Sequence, residues 1–236
     1  MFRFPARTAS DRNESSRQLG DAYYYRALAE TSDDAKIRDY EQSLKCSPLD
    51  LATLRNLSDL LKKKDPARAL ALLETNVRVD PDSATVRSRI ASLQLQMNRS
   101  QDALASVNEA ISIEPEDLSL YDQRKDVETA LHRSSRSIEL HLAAGYRAAA
   151  DALRREGKDS AAMNAYMKSL ETVFQLQPAD QDFTLESEMT VRTLSDFLET
   201  RYSREEARRF WRTLASSGST KQLQSRAQTE IQRLTP

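Results

Sequence analysis

The chain has 236 residues, of which 30% are charged and 6% aromatic, with only four glycines and seven prolines. That composition favours helix and lacks the turn residues an all-β fold consumes, so an all-α fold is predicted. A net charge of −1 excludes a global field for nucleic acid or anionic membrane, and the single cysteine, Cys46, excludes an internal disulfide or a cysteine zinc cage.

Residues 1–12 read as a polar arm, and helical periodicity starts near Asn13. The first helix pair carries Leu19-Gly20-x2-Tyr23, then Tyr40, and closes at Pro48. The second carries Leu57-Ser58, then Ala69 with Leu73 four residues on, and closes at Pro81. Inside it, Asp65-Pro66 predicts a sharp helix start, because Asp caps free N–H groups and Pro suits the first helical position. A third pair repeats the landmarks as Ile90-Ala91, Ala103 with Val107, and Pro115, with Ser100 as the expected N-cap. Helices are then expected over 118–131, 137–156 (stopped by Gly157) and 159–177, with Ala149-Ala150-x2-Leu153 and Ala162-x3-Tyr166 as fainter echoes. The last stretch predicts helices near 184–200, 204–216 and 220–234, the latter two opened by capping boxes Ser203-x-x-Glu206 and Ser219-x-x-Gln222.

The landmarks of the second and third pairs lie about 34 residues apart, and the pattern resembles the tetratricopeptide repeat. The resemblance implies an α-solenoid of antiparallel helix pairs: three repeats over 13–115, degenerate repeat-like helices over 116–178, and a helical cap over 179–236. The first pair departs from the family pattern, with Lys36 where a small Ala stands and a turn around 31–34 about four residues longer than usual. The family works by displaying a concave groove lined by first helices, so the implied function is a non-enzymatic scaffold or adaptor that holds a partner protein or peptide. Mapped from the apolar landmarks, the groove takes Arg17, Gln18, Asp21, Tyr24 and Tyr25, then Arg55, Asn56, Asp59, Lys62 and Lys63, then Ser88, Arg89, Ser92 and Gln96. Arg17, Tyr24, Arg55, Asn56 and Arg89 are the expected partner contacts, while Tyr23 is expected in the core. A subset of the family grips C-terminal carboxylates with a five-residue clamp, whose matching positions here are Arg17, Asp21, Asn56, Thr85 and Arg89. Asp21 would repel the carboxylate it should bind.

Catalysis, metal and cofactor find no motif: His132 and His141 lack ligand spacing, and no glycine-rich phosphate loop occurs. No run approaches 18 apolar residues, so no membrane span is expected, and the lone thiol suits a reducing, cytoplasmic location. Two other readings stand beside the groove. Arg201, Arg204, Arg208 and Arg212 form a basic stripe around Phe210 and Trp211, a surface for a nucleic-acid-associated factor. Against it, the stripe is expected to pair with Glu186, Glu188, Asp196 and Glu199, which makes nucleic acid the disfavoured partner. An uncapped repeat face would instead give self-association.

Overall fold

The computed structural model describes residues 9–176 and 181–235, which hold twelve α-helices and no strand. The expected arm falls outside the described residues up to residue 8, and helix is already present from Ala9. The chain divides into two compact units after Ile113.

The first unit contains α1 (Ala9–Ala29), α2 (Asp33–Cys46), α3 (Leu51–Leu61), α4 (Pro66–Val79), α5 (Ala84–Gln96) and α6 (Ser100–Ile113). Each helix packs on the next, so they form three antiparallel hairpins in a row. Local chemistry sets the boundaries. Asp50 caps α3 by accepting from the Thr53 N–H at 2.7 Å, and Asp65 caps α4 by accepting from Arg68 at 3.0 Å, with Pro66 next to it. Asn98 stops α5 in a left-handed conformation (φ 58), which lets the Arg99 N–H reach the Gln94 carbonyl at 2.8 Å. α6 begins at Ser100 itself, one residue earlier than an N-cap at Ser100 allows, with the Ala103 N–H on the Arg99 carbonyl. The landmark side chains fill the centre: Leu57, Ala69, Leu73 and Ile90 belong to one buried cluster with Leu61, Val86 and Leu93. Leu57 is 1% exposed, and burying such a side chain stabilises the fold by about 1.5–3 kcal/mol.

The first hairpin differs from its sequence reading by one helical turn. Only residues 30–32 separate α1 from α2, so the extra length lies in α1 and not in the connection. The face of α1 turned inward is Gly20, Tyr24 and Ala27, an i, i+4, i+7 set, whereas Leu19 is 51% exposed. Tyr23 is only half-buried, with the Arg26 guanidinium 5.0 Å from its ring. Gly20 lies so close to Ser47 and Cys46 that a Cβ would sit 3.0–3.1 Å from their side chains. Arg26 in turn grips the buried carboxylate of Asp39 with two bonds of 2.6 and 2.5 Å.

The second unit contains α7 (Leu118–Ala130), α8 (Ser135–Arg155), α9 (Asp159–Phe174), α10 (Gln181–Arg201), α11 (Arg204–Ser217) and α12 (Lys221–Arg233). Gly157, at φ 74, ends α8 as its position suggested. Consecutive helices pack together, α10 also meets α8, and α12 also meets α9. Tyr166, Leu170, Leu194, Phe197, Trp211 and Leu223 are all below 2% exposed and form the centre. The Ser203 and Glu206 capping box is present, but the cap of α12 is Thr220, whose hydroxyl accepts from Leu223; the expected box at Ser219 is one residue early. The helix expected to reach Gln177 ends at Phe174, and Gln177 lies outside the described residues.

Candidate partner-binding groove

Because α1, α3 and α5 are the first helices of successive hairpins, their non-core faces line one side of the first unit. Between α3 and α5 runs a groove of about 600 Å³ whose walls are Ser58, Asp59, Lys62, Leu73, Thr85, Ser88, Arg89, Ser92, Leu93 and Gln96. A second recess of about 300 Å³ is lined by Ala27, Leu28, Lys36, Tyr40, Asn56, Asp59 and Leu60. Asp59 borders both. The two recesses together carry three cations, Lys36, Lys62 and Arg89, and one carboxylate, Asp59. Leu28, 52% exposed, adds an apolar edge to the second recess.

Of the expected contacts, Arg89 lines the groove and Asn56 the second recess, but neither is idle. The Asn56 amide donates to the hydroxyls of Tyr24 and Tyr40, both at 3.4 Å, and Arg89 ion-pairs with Asp59. Tyr24 therefore sits at the core edge, packed against the buried cluster and beside Tyr40 at 5.8 Å between ring centroids. Burial, the largest influence, pushes the Tyr40 hydroxyl pKa up. Arg17 and Arg55 are exposed and are not among the lining residues. The one-turn register shift in α1 passes the place expected for Tyr24 to Leu28, which lines the second recess. Leu28 was legible from its spacing, four residues after Tyr24 on the same face, had Ala27 and not Leu19 set the register. Of the clamp positions, Thr85 and Arg89 line the groove and Asn56 the second recess, whereas Arg17 and Asp21 line neither.

In the second unit the expected pairing of the basic stripe with α10 is not what forms. The α10 carboxylates are taken by other arginines: Glu186 by Arg147 at 3.0 Å, Asp196 by Arg154 at 2.7 Å, Glu188 by Arg226 at 2.9 Å and Glu199 by Arg233. From the stripe, Arg201 meets Asp159 at 3.3 Å, and Arg208 and Arg212 share Glu205 at 3.6 and 3.1 Å. Trp211 is fully buried, as the core reading expects. His141 lies 3.1 Å from both oxygens of the buried Glu128, which also accepts from Arg124 and Arg133 at 3.1 and 2.8 Å; His132 occupies a left-handed turn. No group of three or more His, Cys, Asp or Glu side chains is placed to hold a metal among the described residues, and no described helix is long and apolar enough to cross a membrane.

Residues 60–125 match the family model described as Tetratricopeptide repeat. This stretch of the chain therefore carries the tetratricopeptide repeat pattern. The match covers the end of α3 through most of α7, which includes the third repeat with its Ala103, Val107 and Pro115 landmarks. No curated protein is significantly similar to the chain. Among solved structures, a crystal structure of MamA is 19% identical over 72% of this chain and 98% of its own, with a TM-score of 0.44. Yeast Tom70 is 10% identical over 96% of this chain and 55% of its own, at 0.46. The first TPR of Spaghetti (RPAP3), solved with an HSP90 peptide, is 15% identical over 53% and 98%, at 0.41. At these TM-scores the likeness is one of loosely superposable helical hairpins and says nothing of ligand or partner.

Proposed function

We propose that this chain is a non-catalytic tetratricopeptide repeat adaptor that holds a segment of a partner protein across α3 and α5. The observation that carries this reading is the groove of about 600 Å³, whose walls include Asp59, Lys62, Ser88, Arg89, Ser92 and Gln96 from the set that the repeat spacing assigns to an inner face, though not Arg55, Asn56 or Lys63. Its floor mixes two leucines with short hydroxyl side chains and an amide, so it accepts apolar side chains and still satisfies a bound backbone. With Arg89 already neutralised by Asp59, the groove offers Lys62 and, in the neighbouring recess, Lys36 as its unpaired cations, so the preferred segment is one with apolar anchors and modest acidity. Lys62, Asn56, Arg89 and Gln96 are the contacts in this reading, with Arg17, Tyr24 and Arg55 as flanking positions. The organisation that goes with it is a cytoplasmic scaffold whose repeats over 13–115 bind, whose helices over 116–178 are diverged repeats, and whose residues 179–236 cover the end.

The test is a groove blocked without loss of fold. Gln96→Trp with Lys62→Glu alters two exposed lining residues, so the melting temperature should stay within a few degrees of the parent. Affinity for the partner identified by affinity capture should drop at least tenfold by isothermal titration, the equivalent of about 1.4 kcal/mol. Undiminished affinity in this variant would contradict the groove reading.

A further inference from the structure

The basic stripe of α11 is not neutralised by the acidic helix α10. All four carboxylates assigned to it, Glu186, Glu188, Asp196 and Glu199, are engaged by Arg147, Arg226, Arg154 and Arg233 of α8 and α12. What remains on α11 is Arg204, Arg208, Arg209 and Arg212 against two carboxylates. One of these, Glu206, is committed to the N-cap, where its oxygen accepts from the Ser203 N–H and hydroxyl at 2.8 and 2.7 Å. The other, Glu205, is shared between Arg208 and Arg212. Arg204 and Arg209 are exposed and make no ion pair with any described residue. Arg204, Arg208 and Arg212 follow one another at i, i+4 spacing, about 6 Å per step along the helix.

We infer that the outer face of α11 is a docking surface for the phosphate backbone of nucleic acid, read without regard to sequence. The chemistry of the face separates this from the other anionic partners. No large apolar side chain of α11 is exposed, and Phe210 and Trp211 are turned into the core, so the face has neither the apolar centre of a protein interface nor residues to insert into lipid. Guanidinium groups need only phosphate oxygens to form paired charge-assisted bonds. With Trp211 buried, Phe210 half-buried against the core and Tyr202 the one exposed aromatic beside the stripe, contacts to phosphate position the chain but do not select a sequence.

The experiment uses the full chain and a fluorescein-labelled 20-base-pair DNA duplex, read by fluorescence anisotropy at 50 and 200 mM salt. Three neutralised phosphates give a log–log salt slope near −2.7, so affinity should fall about fortyfold across that range. Arg204→Ala with Arg209→Ala, two exposed and unpaired side chains, should flatten the slope to about −0.9 and leave the melting temperature unchanged. Glu205→Gln should act in the opposite direction, releasing Arg208 and Arg212, tightening binding at 50 mM and steepening the slope. Absence of binding at 50 mM overturns the proposal, as does binding that the double variant leaves intact. A polyglutamate peptide that binds the parent chain more tightly than the duplex at equal salt also overturns it and assigns the face to an acidic protein.

Discussion

Asp39 and Arg26 illustrate what single residues contribute. The bidentate hydrogen bond from Arg26 holds the Asp39 carboxyl below its usual range, against the opposing pull of burial. A depressed folded pKa means the pair's stabilisation is complete above the unfolded value near 3.9 and is lost as pH falls through the lower folded value. Arg26→Ala, which leaves a buried acceptor without its partner, should lower the melting temperature at pH 7. The melting-temperature gap between parent and variant should narrow as pH drops below about 4; a gap constant from pH 7 to pH 2 would show that the pair is not its source. Gly145 is a second such residue, because a Cβ there would lie 2.3 Å from Cδ1 of the Tyr121 ring. Gly145→Ala should therefore separate α7 from α8 and lower stability by roughly 1–3 kcal/mol in chemical denaturation, where an ordinary helical Gly→Ala change would raise it. Neither residue was legible beforehand. Both depend on which side chain arrives from another helix, and a sequence spacing carries no such information.

At the scale of helices, much was legible, for a reason visible in the second and third hairpins. Their landmark residues, Leu57, Ala69, Leu73, Ile90, Ala103 and Val107, are the buried ones, so a 34-residue spacing of small and aliphatic residues records which faces must meet. Leu57→Asp places an unpaired charge at a site 1% exposed and should cost about 4 kcal/mol or more, enough to unfold the first unit near room temperature by circular dichroism. A parent-like melt would show that the α3 register is wrong. The first hairpin misled because Leu19-Gly20-x2-Tyr23 mimics the family's spacing one turn too early. Burial of Ala27 and the three-residue turn before α2, both tertiary facts, decide the register. The candidate groove inherits this division. Much of its α3 and α5 walls follows from the repeat, whereas the α1 place expected for Tyr24 passes to Leu28, and the Asp59 pairing that occupies Arg89 comes from two helices whose charges no spacing links.

In the whole molecule the last helices belong to the core of the second unit. Phe183, Val191, Leu194, Phe197 and Trp211 share one buried cluster with Tyr166, Leu170 and Val173 of α9, so a chain ending at residue 178 would bare that apolar face. Such a truncation should associate or aggregate in size-exclusion chromatography with light scattering, and a monodisperse monomer of equal stability would instead make 179–236 an independent module. Site-specific photo-crosslinking in the native extract tests the proposal that a partner segment lies across α3 and α5. A photoreactive residue replaces Lys62 or Gln96 in the groove, or Glu74, which is exposed on α4 and outside it. The two groove positions should capture one and the same partner, competed by the unlabelled chain, while position 74 captures none of it. Capture of that partner from position 74 with none from positions 62 and 96 would contradict it.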